Sequence, residues 1–539
     1  MRASTRLKAA LALSLVGLAA SVSHAQLKAS QVLVVYDSRI ADSLDIAAYY
    51  AGSLKVPGNP TTYPGKHFGV QVLDLANAPG GVPVVTTPGD ITWPNFVSRI
   101  RTPIRNYLNV GTRARQIRCI VLTKGLPHRI QDTDAAVSGD DPGATSTEFN
   151  NGDLTNSSVD SELTLLYQNL ETSENGNAGD SRSDGGVLNP YWRATASINN
   201  FATDNIKNAR TLAGVSGLPG GWVWTGSRTV ALTSGDIYLV CRLDGPTLQI
   251  TRDSIDRAQQ IFLNVNNTAF IFDEISSQGI ADASPNVEYD NNDLGGFLYS
   301  GDDYEKTRDF IAVTDKRFAS ANVRYNAFGG APVQFIVGPR VTYTPATQGT
   351  LVSTPVFLLA SVGSNCGAQS TQPQTAGGIN AGQNYADSFN YLNGAIFNSI
   401  ESYNGRDFGG KGGWTGGWGP QEQISDFLTA GGTLAVGNVW EPFSFSIADN
   451  EWIVKNFVLG NLTWAEAAYS SLPLLSWQQI VIGDPLAIVQ RSSEDIDGNG
   501  RVDIEDLYKW EQGPTDINKD GTANDADRQL LTATIRRGE

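Results

Sequence analysis

Two acidic segments near the C-terminus have the residue types and spacing of loops that enclose a hard metal ion. Counted from Asp495, oxygen-bearing side chains fall at positions 1, 3, 5, 9 and 12 of the first segment, with glycine at position 6. A cation that prefers six to eight oxygen ligands needs this spacing, and the glycine lets the loop turn sharply around the ion. With the backbone carbonyl at position 7 included, the predicted ligands are Asp495, Asp497, Asn499, Arg501, Asp503 and Asp506.

The second segment repeats this pattern twenty-one residues further along the chain. Its predicted ligands are Asp516, Asn518, Asp520, Thr522 (through its carbonyl), Asn524 and Asp527. It departs from the first at position 8, where Ala523 replaces an aliphatic residue, and at position 13, where Arg528 replaces an apolar one. We therefore expect two Ca²⁺ sites, of which the second is weaker or less well ordered. The alternative for both segments is a cluster of Asp/Asn-Gly turns without metal.

Both segments end in aspartate at position 12, and each is followed by residues that suit the apolar face of a short helix. These residues are Leu507 and Trp510 after the first segment and Leu530 and Leu531 after the second. With this compact duplication, residues 494–535 resemble a type I dockerin-like module, a small all-α unit with EF-hand-like calcium loops. The resemblance implies Ca²⁺ binding and docking onto a cohesin-like or cell-surface scaffold protein. Such modules often carry polysaccharide-degrading enzymes.

The elements upstream of these segments alternate between apolar runs and amphipathic stretches. Residues 32–35, 117–122, 269–272 and 356–360 are typical of buried strands, whereas 250–264 and 421–430 are among the predicted helices. Continuous apolar strands separated by helices indicate an α/β fold, with an open, mainly parallel, doubly wound sheet and polar loop insertions. In such a sheet, ligands bind beyond the C-terminal ends of the strands.

Four acidic residues stand near the predicted ends of strands or helices. They are Asp160, Glu162, Asp244 and Asp273. If all strands run in one direction, these carboxylates converge on one edge, where they could hold a metal or act as an acid/base pair on a polysaccharide substrate. The alternatives are a helix N-cap for Asp160 and a turn for Asp244-Gly245.

A different candidate pair is Cys366 and His128, each of which follows a predicted strand. This order, with the sequence Ile482-Gly483-Asp484-Pro485, is similar to the gingipain and caspase type of cysteine peptidase. The resemblance implies an open α/β sheet, a thiolate nucleophile at Cys366 and an imidazole base at His128, acting on a peptide substrate. The alternative is that Cys366 has no catalytic role.

Eight blocks in the region of about 30–490 together resemble one protein family. They are VLVVYDSRIADSLDIAAYYA, LTKGLPHRI, SSVDSELTLLYQ with a downstream NPYW, IYLVCRLDGPT, LLASVGSN, LNGAIFNSIESYNGRDF, GNVWEP and SWQQIVIGDPL. In this order they are similar to a family of exported bacterial proteins found in genomes that encode PEP-CTERM sorting signals. The resemblance implies export, but it implies no reaction, because none is established for that family.

The first 25 residues predict secretion. Three basic residues precede an apolar run of about 14 residues, and Ser23-His24-Ala25 suits signal peptidase. Cleavage after Ala25 leaves a domain at 26–490, with a polar insertion at about 131–190, and a calcium module at 491–539. No later apolar run is long enough to span a bilayer, so we expect no membrane span in the mature chain.

The charge and the motifs of the sequence exclude several classes of partner and of active site. The mature chain has 36 basic and 55 acidic residues, a net charge of −19 that disfavours binding to nucleic acid. The chain contains no P-loop, GxSxG or HExxH motif, and only His67 and His128 remain after cleavage, which excludes a multi-histidine zinc site. The expected function is that of a secreted Ca²⁺-binding protein with a large α/β domain, and the alternative is a secreted hydrolase.

Overall fold

The computed structural model describes most of the chain in segments. These are 26–52, 54, 63–78, 89–131, 157–167, 187–200, 207–210, 213–214, 222–223, 229–232, 235–264, 266–273, 303–316, 318–326, 335–340, 349–362, 386–400, 403–408, 424–440, 446–491, 493–497, 502–518 and 521–537. Of the predicted site residues, Cys366, Asn499, Arg501 and Asp520 lie outside them. So do the signal sequence and most of the polar insertion.

A ten-stranded sheet forms the centre of the molecule. Its strands are β1 (Val32–Tyr36), β2 (Gln71–Asp74), β3 (Cys119–Thr123), β4 (Leu239–Leu243), β5 (Ala269–Asp273), β6 (Val323–Asn326), β7 (Val356–Val362), β8 (Tyr391–Ile400), β9 (Leu434–Asn438) and β10 (Gln479–Ile482). Their spatial order is β6-β5-β7-β8-β9-β10-β4-β3-β1-β2. The predicted α/β class with a large, mostly parallel sheet is therefore confirmed.

The sheet consists of two parallel halves that run in opposite directions. Every neighbouring pair is parallel except β9 and β10, which are antiparallel. The first half has the order β2-β1-β3-β4-β10, and the second has the matching order β6-β5-β7-β8-β9. The second half is thus inserted into the first, between β4 and β10. Because the halves are antiparallel to each other, their C-terminal strand ends lie at opposite edges of the sheet.

Twelve α-helices are assigned within the described segments. They are α1 (Ala41–Ala51), α2 (Trp93–Phe96), α3 (Thr102–Leu108), α4 (Arg113–Gln116), α5 (Val159–Thr164), α6 (Leu248–Ala258), α7 (Asp303–Asp309), α8 (Ile424–Thr429), α9 (Asn450–Ile453), α10 (Trp464–Ser471), α11 (Ile504–Gln512) and α12 (Asp525–Arg537). Single π-helical segments extend α2, α7 and α9, over Val97–Arg101, Phe310–Asp315 and Val454–Val458. Short 3₁₀ turns occupy Ala29–Gln31, Ser320–Asn322 and Ala386–Ser388.

Both faces of the sheet are covered by apolar side chains, as alternate residues of β5 illustrate. Phe270 and Phe272 belong to one buried cluster, whereas Ala269 and Ile271 belong to a second cluster on the opposite face. Burial on both faces is the reason that the strands have continuous apolar runs rather than alternating ones.

Smaller strand pairs surround the central sheet. Antiparallel pairs join Lys207–Arg210 to Thr229–Leu232, Ala213–Gly214 to Trp222–Val223, and Val187–Leu188 to Leu474–Leu475. Parallel pairs join Phe335–Val337 to Gly349–Leu351 and Ile261–Leu263 to Val489–Arg491. A three-stranded sheet contains Asp90–Thr92, Arg129–Gln131 and Ser157–Ser158.

The helix predicted over 250–264 is correct only in its first part. Helix α6 ends at Ala258, and residues 261–263 form a strand instead. Ile261 and Leu263 are buried in the main core, and their backbone pairs with Val489–Arg491. The apolar residues at 261–263 fit a helical period, but the tertiary strand pairing determines their conformation.

The C-terminal part of the chain forms a pair of helices, α11 and α12. Val502, Trp510, Ile517 and Leu531 are its buried apolar residues. We call residues 493–537 the C-terminal module.

Candidate metal centre and the acidic residues of the sheet

Three predicted ligands of the first acidic segment come together in the C-terminal module. One carboxylate oxygen each of Asp495, Asp497 and Asp506 lies within 4.8 Å of the other two. Asp506 is buried, Asp495 is half-buried and Asp497 is exposed, so the group opens to solvent on one side. Like charges at this separation repel one another, and a cation among them would remove that repulsion.

The chain wraps around the carboxylate of Asp506. Its Oδ1 accepts hydrogen bonds from the backbone N–H groups of Ile496 at 2.6 Å and Asp497 at 3.1 Å, and its Oδ2 accepts one from Asp503 at 2.8 Å. Asp503 in turn caps α11, because its Oδ1 accepts from the N–H of Glu505 at 2.9 Å. These bonds fix positions 2, 3, 9 and 12 of the segment relative to one another.

The second segment repeats this arrangement around Asp527. Its Oδ1 accepts from the N–H groups of Ile517 at 2.7 Å and Asn518 at 2.9 Å, and its Oδ2 accepts from Asn524 at 2.8 Å. These three donors occupy positions 2, 3 and 9, as in the first segment. Gly521 at position 6 has φ +97°, and its N–H donates to Oδ2 of Asp516 at position 1. Glycine tolerates this left-handed conformation, which explains its place in the pattern.

The departure noted at position 13 of the second segment has a structural role. Arg528 forms an exposed ion pair with Glu511 at 2.5 Å, which joins α12 to α11. An arginine at this position therefore links the two helices of the module rather than filling an apolar core.

Asp160, one of the four predicted reactive acids, is buried in an ion pair. Both of its oxygens accept from the guanidinium of Arg242 in β4, at 2.7 Å from Nη2 and 3.1 Å from Nε. Neither side chain is exposed, and Arg242 also donates to the carbonyls of Leu126 and Pro127. Burial raises the pKa of the Asp160 carboxyl, and the charge of Arg242 acts against that rise. The helix N-cap is Ser158, so the N-cap prediction for Asp160 is wrong.

Asp244 also lies close to two basic side chains. Lys124 approaches its Oδ1 at 3.3 Å, and Nη1 of Arg242 lies 3.6 Å from its Oδ2. Its Oδ1 also accepts from the N–H of Gly245 at 2.8 Å, but residues 244–245 do not form the turn that was the alternative for Asp244-Gly245. Glu162 accepts from the hydroxyl of Ser476 at 2.7 Å.

The expectation that the acids converge on one edge of the sheet is wrong for Asp273. It ends β5 in the second half, whereas Asp244 follows β4 in the first half, and these two strands run in opposite directions. The two carboxylates therefore lie at opposite edges, with four strands between β4 and β5. Asp273 pairs in register with Asn326 on one side and Ser361 on the other.

His128 is buried, and its Nε2 lies 2.7 Å from the carbonyl of Arg406. Burial, followed by the charges of Arg129 and Arg242, holds the pKa of His128 well below its ordinary value, so the ring is neutral near pH 7. Cys366 lies outside the described residues, so the pair stays a prediction. The strand before Cys366 ends at the opposite sheet edge from the strand before His128.

Compared with models of protein families, with curated proteins and with solved structures, the chain has no match. The resemblances to the exported family, to dockerins and to the gingipain type therefore stay predictions. None of the helices in the described segments combines the length and the hydropathy that crossing a bilayer requires.

Sequence reasoning missed a buried group around Asp484, which follows β10. Its carboxylate accepts from the imidazole Nε2 of His67 at 2.6 Å, the hydroxyl of Tyr50 at 2.7 Å and the amide of Gln259 at 2.7 Å. These partners are hundreds of residues away in sequence, so no local pattern could show them. The only sequence signal was that His67 is one of two mature histidines.

Sequence reasoning also missed several buried polar groups that the fold leaves without hydrogen bonds. Within the described residues, the hydroxyls of Ser399 and Ser425 and the amide nitrogen of Asn404 are buried and have no partner. Ser399 lies near the C-terminal end of β8, in register with Ser361 of β7. Unsatisfied groups of this kind are rare in folded proteins and mark positions of strain or of bound solvent and ligands.

Proposed function

We propose that the protein is secreted and that its C-terminal module binds two Ca²⁺ ions, one in residues 495–506 and one in residues 516–527. The observation that carries this proposal is the repeated geometry around Asp506 and Asp527. Each carboxylate at position 12 accepts the same three backbone N–H groups, at positions 2, 3 and 9. The described parts of the two loops therefore share one hydrogen-bond arrangement, and the carboxylates of Asp495, Asp497 and Asp506 in the first loop lie close together.

The donor set favours calcium over other metals. Every predicted ligand atom is an oxygen, and neither cysteine nor histidine occurs between 493 and 537. Carboxylate and carbonyl oxygens suit hard cations rather than zinc or copper. Calcium accepts six to eight such ligands in irregular geometry, whereas magnesium demands a near-ideal octahedron. A loop with both carboxylate and carbonyl donors is the better fit to calcium.

Export is consistent with a calcium function. The basic and apolar leader at 1–25 predicts secretion, and extracellular calcium modules typically bind in the range of about 10⁻⁴–10⁻³ M. An acidic mature chain also favours cations over phosphate-bearing partners.

We propose that the module also docks onto a cohesin-like or cell-surface scaffold partner through α11. Ile504 and Tyr508 are exposed and lie one helical turn apart, so they share a face of that helix. Leu507 and Trp510 pack inward from the same helix. Replacing Ile504 and Tyr508 by serine should abolish binding to such a partner without weakening Ca²⁺ binding, and retention of the partner would refute this docking surface.

The alternative function, a secreted hydrolase acting on peptides or polysaccharides, gains no support from the described acids. Asp160 and Asp244 are held by arginine and lysine, and Asp273 lies at the other edge of the sheet. Glu162 is buried and accepts a hydrogen bond from Ser476. What is left of this alternative is the pair of Cys366 and His128. Peptidase activity that disappears in Cys366→Ala would favour it over the binding role.

Calorimetric titration of the mature full-length chain with CaCl₂, after removal of metal with chelator, tests the calcium proposal. We expect two binding events, of which Asp506→Asn removes the first and Asp527→Asn the second. Glu505→Gln is the matched control, because Glu505 is exposed and carries the same charge at a position that offers no ligand. No calcium-dependent heat in the unaltered protein would refute the proposal.

A further inference from the structure

The C-terminal module shares a hydrophobic contact with the large domain. Strand Ile261–Leu263 of the large domain pairs in parallel with Val489–Arg491, in the register Ile261 with Val489 and Leu263 with Arg491. Side chains alternate along a strand. Ile261 and Leu263 point into the main core, and Phe262 between them packs against the apolar core of the module, which contains Val502, Trp510, Ile517 and Leu531.

The same strand also contacts β8 in the second half of the sheet. Gly394 of β8 has φ +79°, and a Cβ built there would lie 2.5 Å from Cγ2 of Ile261. Ile261 therefore occupies the space beside a residue that must be glycine. The pairing of β7 with β8 shifts in register across this point, between Val356 and Leu358. A continuous series of contacts thus runs from the module through Phe262 and Ile261 to β8.

The connection between the two parts is short. Arg491 ends the paired strand, and Asp495, the first predicted ligand, follows only four positions later. Glu494 between them is 1% exposed, so this residue of the connection is packed against the protein. The first loop is therefore attached directly to a strand of the large domain rather than through a long linker.

We infer that Ca²⁺ binding by the module regulates the large domain, and that Phe262 transmits the effect. This inference rests on the calcium function proposed above. Without a cation, the carboxylates of Asp495, Asp497 and Asp506 repel one another, and the loop loses the shape that sets α11. The module core then loosens around Phe262, and the strand that supports β8 loses one of its apolar contacts. Since coupling is reciprocal, a change at Phe262 must also weaken Ca²⁺ binding.

The test uses the full mature chain, with calorimetric unfolding and Ca²⁺ titration on each variant. In the unaltered protein we expect Ca²⁺ to raise the unfolding temperature of the large domain. In Phe262→Ala that rise should disappear, and Ca²⁺ affinity should fall by about tenfold. Phe262→Leu keeps most of the apolar contact and should retain the coupling. It distinguishes a loss of coupling from misfolding of the alanine variant.

Phe310→Ala is the matched control. Phe310 is also a half-buried aromatic residue at the edge of the main core, but it does not belong to the module's cluster. This variant should be less stable and still respond to Ca²⁺. A calcium-dependent rise that persists in Phe262→Ala overturns the inference, whereas an absence of Ca²⁺ binding in the unaltered protein overturns the proposed function instead.

Discussion

The imidazole of His67 and the carboxylate of Asp484 are joined at 2.6 Å across 417 positions of sequence. Asp484 is buried and follows β10, the last strand of the first half in the sequence. His67 belongs to the segment of sequence that connects β1 to β2. Burial opposes charge on His67, yet the charge and hydrogen bond of Asp484 outweigh it and raise the pKa of the imidazole. Burial likewise acts against ionisation of Asp484, but His67 and the other hydrogen bonds lower the pKa of its carboxyl.

This pair predicts a window of pH in which it stabilises the fold. The raised pKa of His67 gives stability that is complete below the ordinary histidine value of 6.5 and is lost as the pH rises through the folded value. The lowered pKa of Asp484 gives stability that is complete above the ordinary value of 3.8 and is lost in acid. His67→Gln should therefore cost about 2 kcal/mol near pH 5.5 and clearly less at pH 8.5, measured by urea unfolding.

Lys66→Gln is the control for this prediction. Lys66 neighbours His67, but its partner Asp256 is about half exposed, so the loss should be small and nearly independent of pH between 5.5 and 8.5. An equal loss for His67→Gln at both pH values would contradict a charged imidazole.

The ion pair of Arg242 and Asp160 predicts a structural rather than a catalytic role for this acid. Asp160→Asn leaves the buried guanidinium of Arg242 with only the more distant carboxylate of Asp244, at 3.6 Å, as a counter-charge, and should cost about 3 kcal/mol in the free energy of unfolding. The double variant Asp160→Leu with Arg242→Met removes both charges and should recover much of that loss. An unchanged unfolding temperature in Asp160→Asn would show that the ion pair does not stabilise the fold.

The sequence predicted four of the five strands of the first half, because burial on both faces leaves a continuous apolar run. It did not predict β2 (Gln71–Asp74), in which only Leu73 is buried. Residues 32–35 were expected and β1 is Val32–Tyr36. Strand β8 was not recognised, because Asn393 and Gly394 interrupt its apolar pattern. The reversal of direction between β9 and β10 could not be predicted, since residue pattern alone carries no information on which strands become neighbours.

For the candidate site, too, some features could be predicted from the sequence and others could not. Spacing within a short segment predicted that Asp495, Asp497 and Asp506 share a site, and their carboxylates do come together. Asp244 and Asp273 could lie at one edge only if all strands of the sheet ran in the same direction. Because β9 and β10 are antiparallel, the two halves run in opposite directions and the two residues lie at opposite edges. Residue spacing within a segment thus predicted the geometry of that segment. Contacts between distant segments depend on the strand order and direction, which the sequence pattern does not contain.

The buried hydroxyl of Ser399 has no hydrogen-bond partner among the described residues, which predicts an increase in stability on its removal. A buried hydroxyl without a partner costs about 1–3 kcal/mol, so Ser399→Ala should raise the free energy of unfolding by about 1 kcal/mol. Ser158→Ala is the matched control, because the Ser158 hydroxyl donates to the carbonyl of Gln479 at 2.6 Å and accepts from Ser161. That variant should lose stability. A loss of stability in Ser399→Ala as well would contradict this prediction.

Gly521, at position 6 of the second proposed calcium loop, gives a test that leaves every predicted ligand in place. Gly521 has φ +97°, and a Cβ added there would meet no atom of the described residues within 4 Å, so the expected effect of Gly521→Ala is backbone strain. A left-handed alanine costs about 1–2 kcal/mol, which should weaken Ca²⁺ binding at the second site by about tenfold. The first site should keep its affinity. Gly513→Ala, at φ −156° and also without close neighbours, should change neither site. Calorimetric titration separates these outcomes, and an unchanged second site in Gly521→Ala would mean that the loop does not need this turn around an ion.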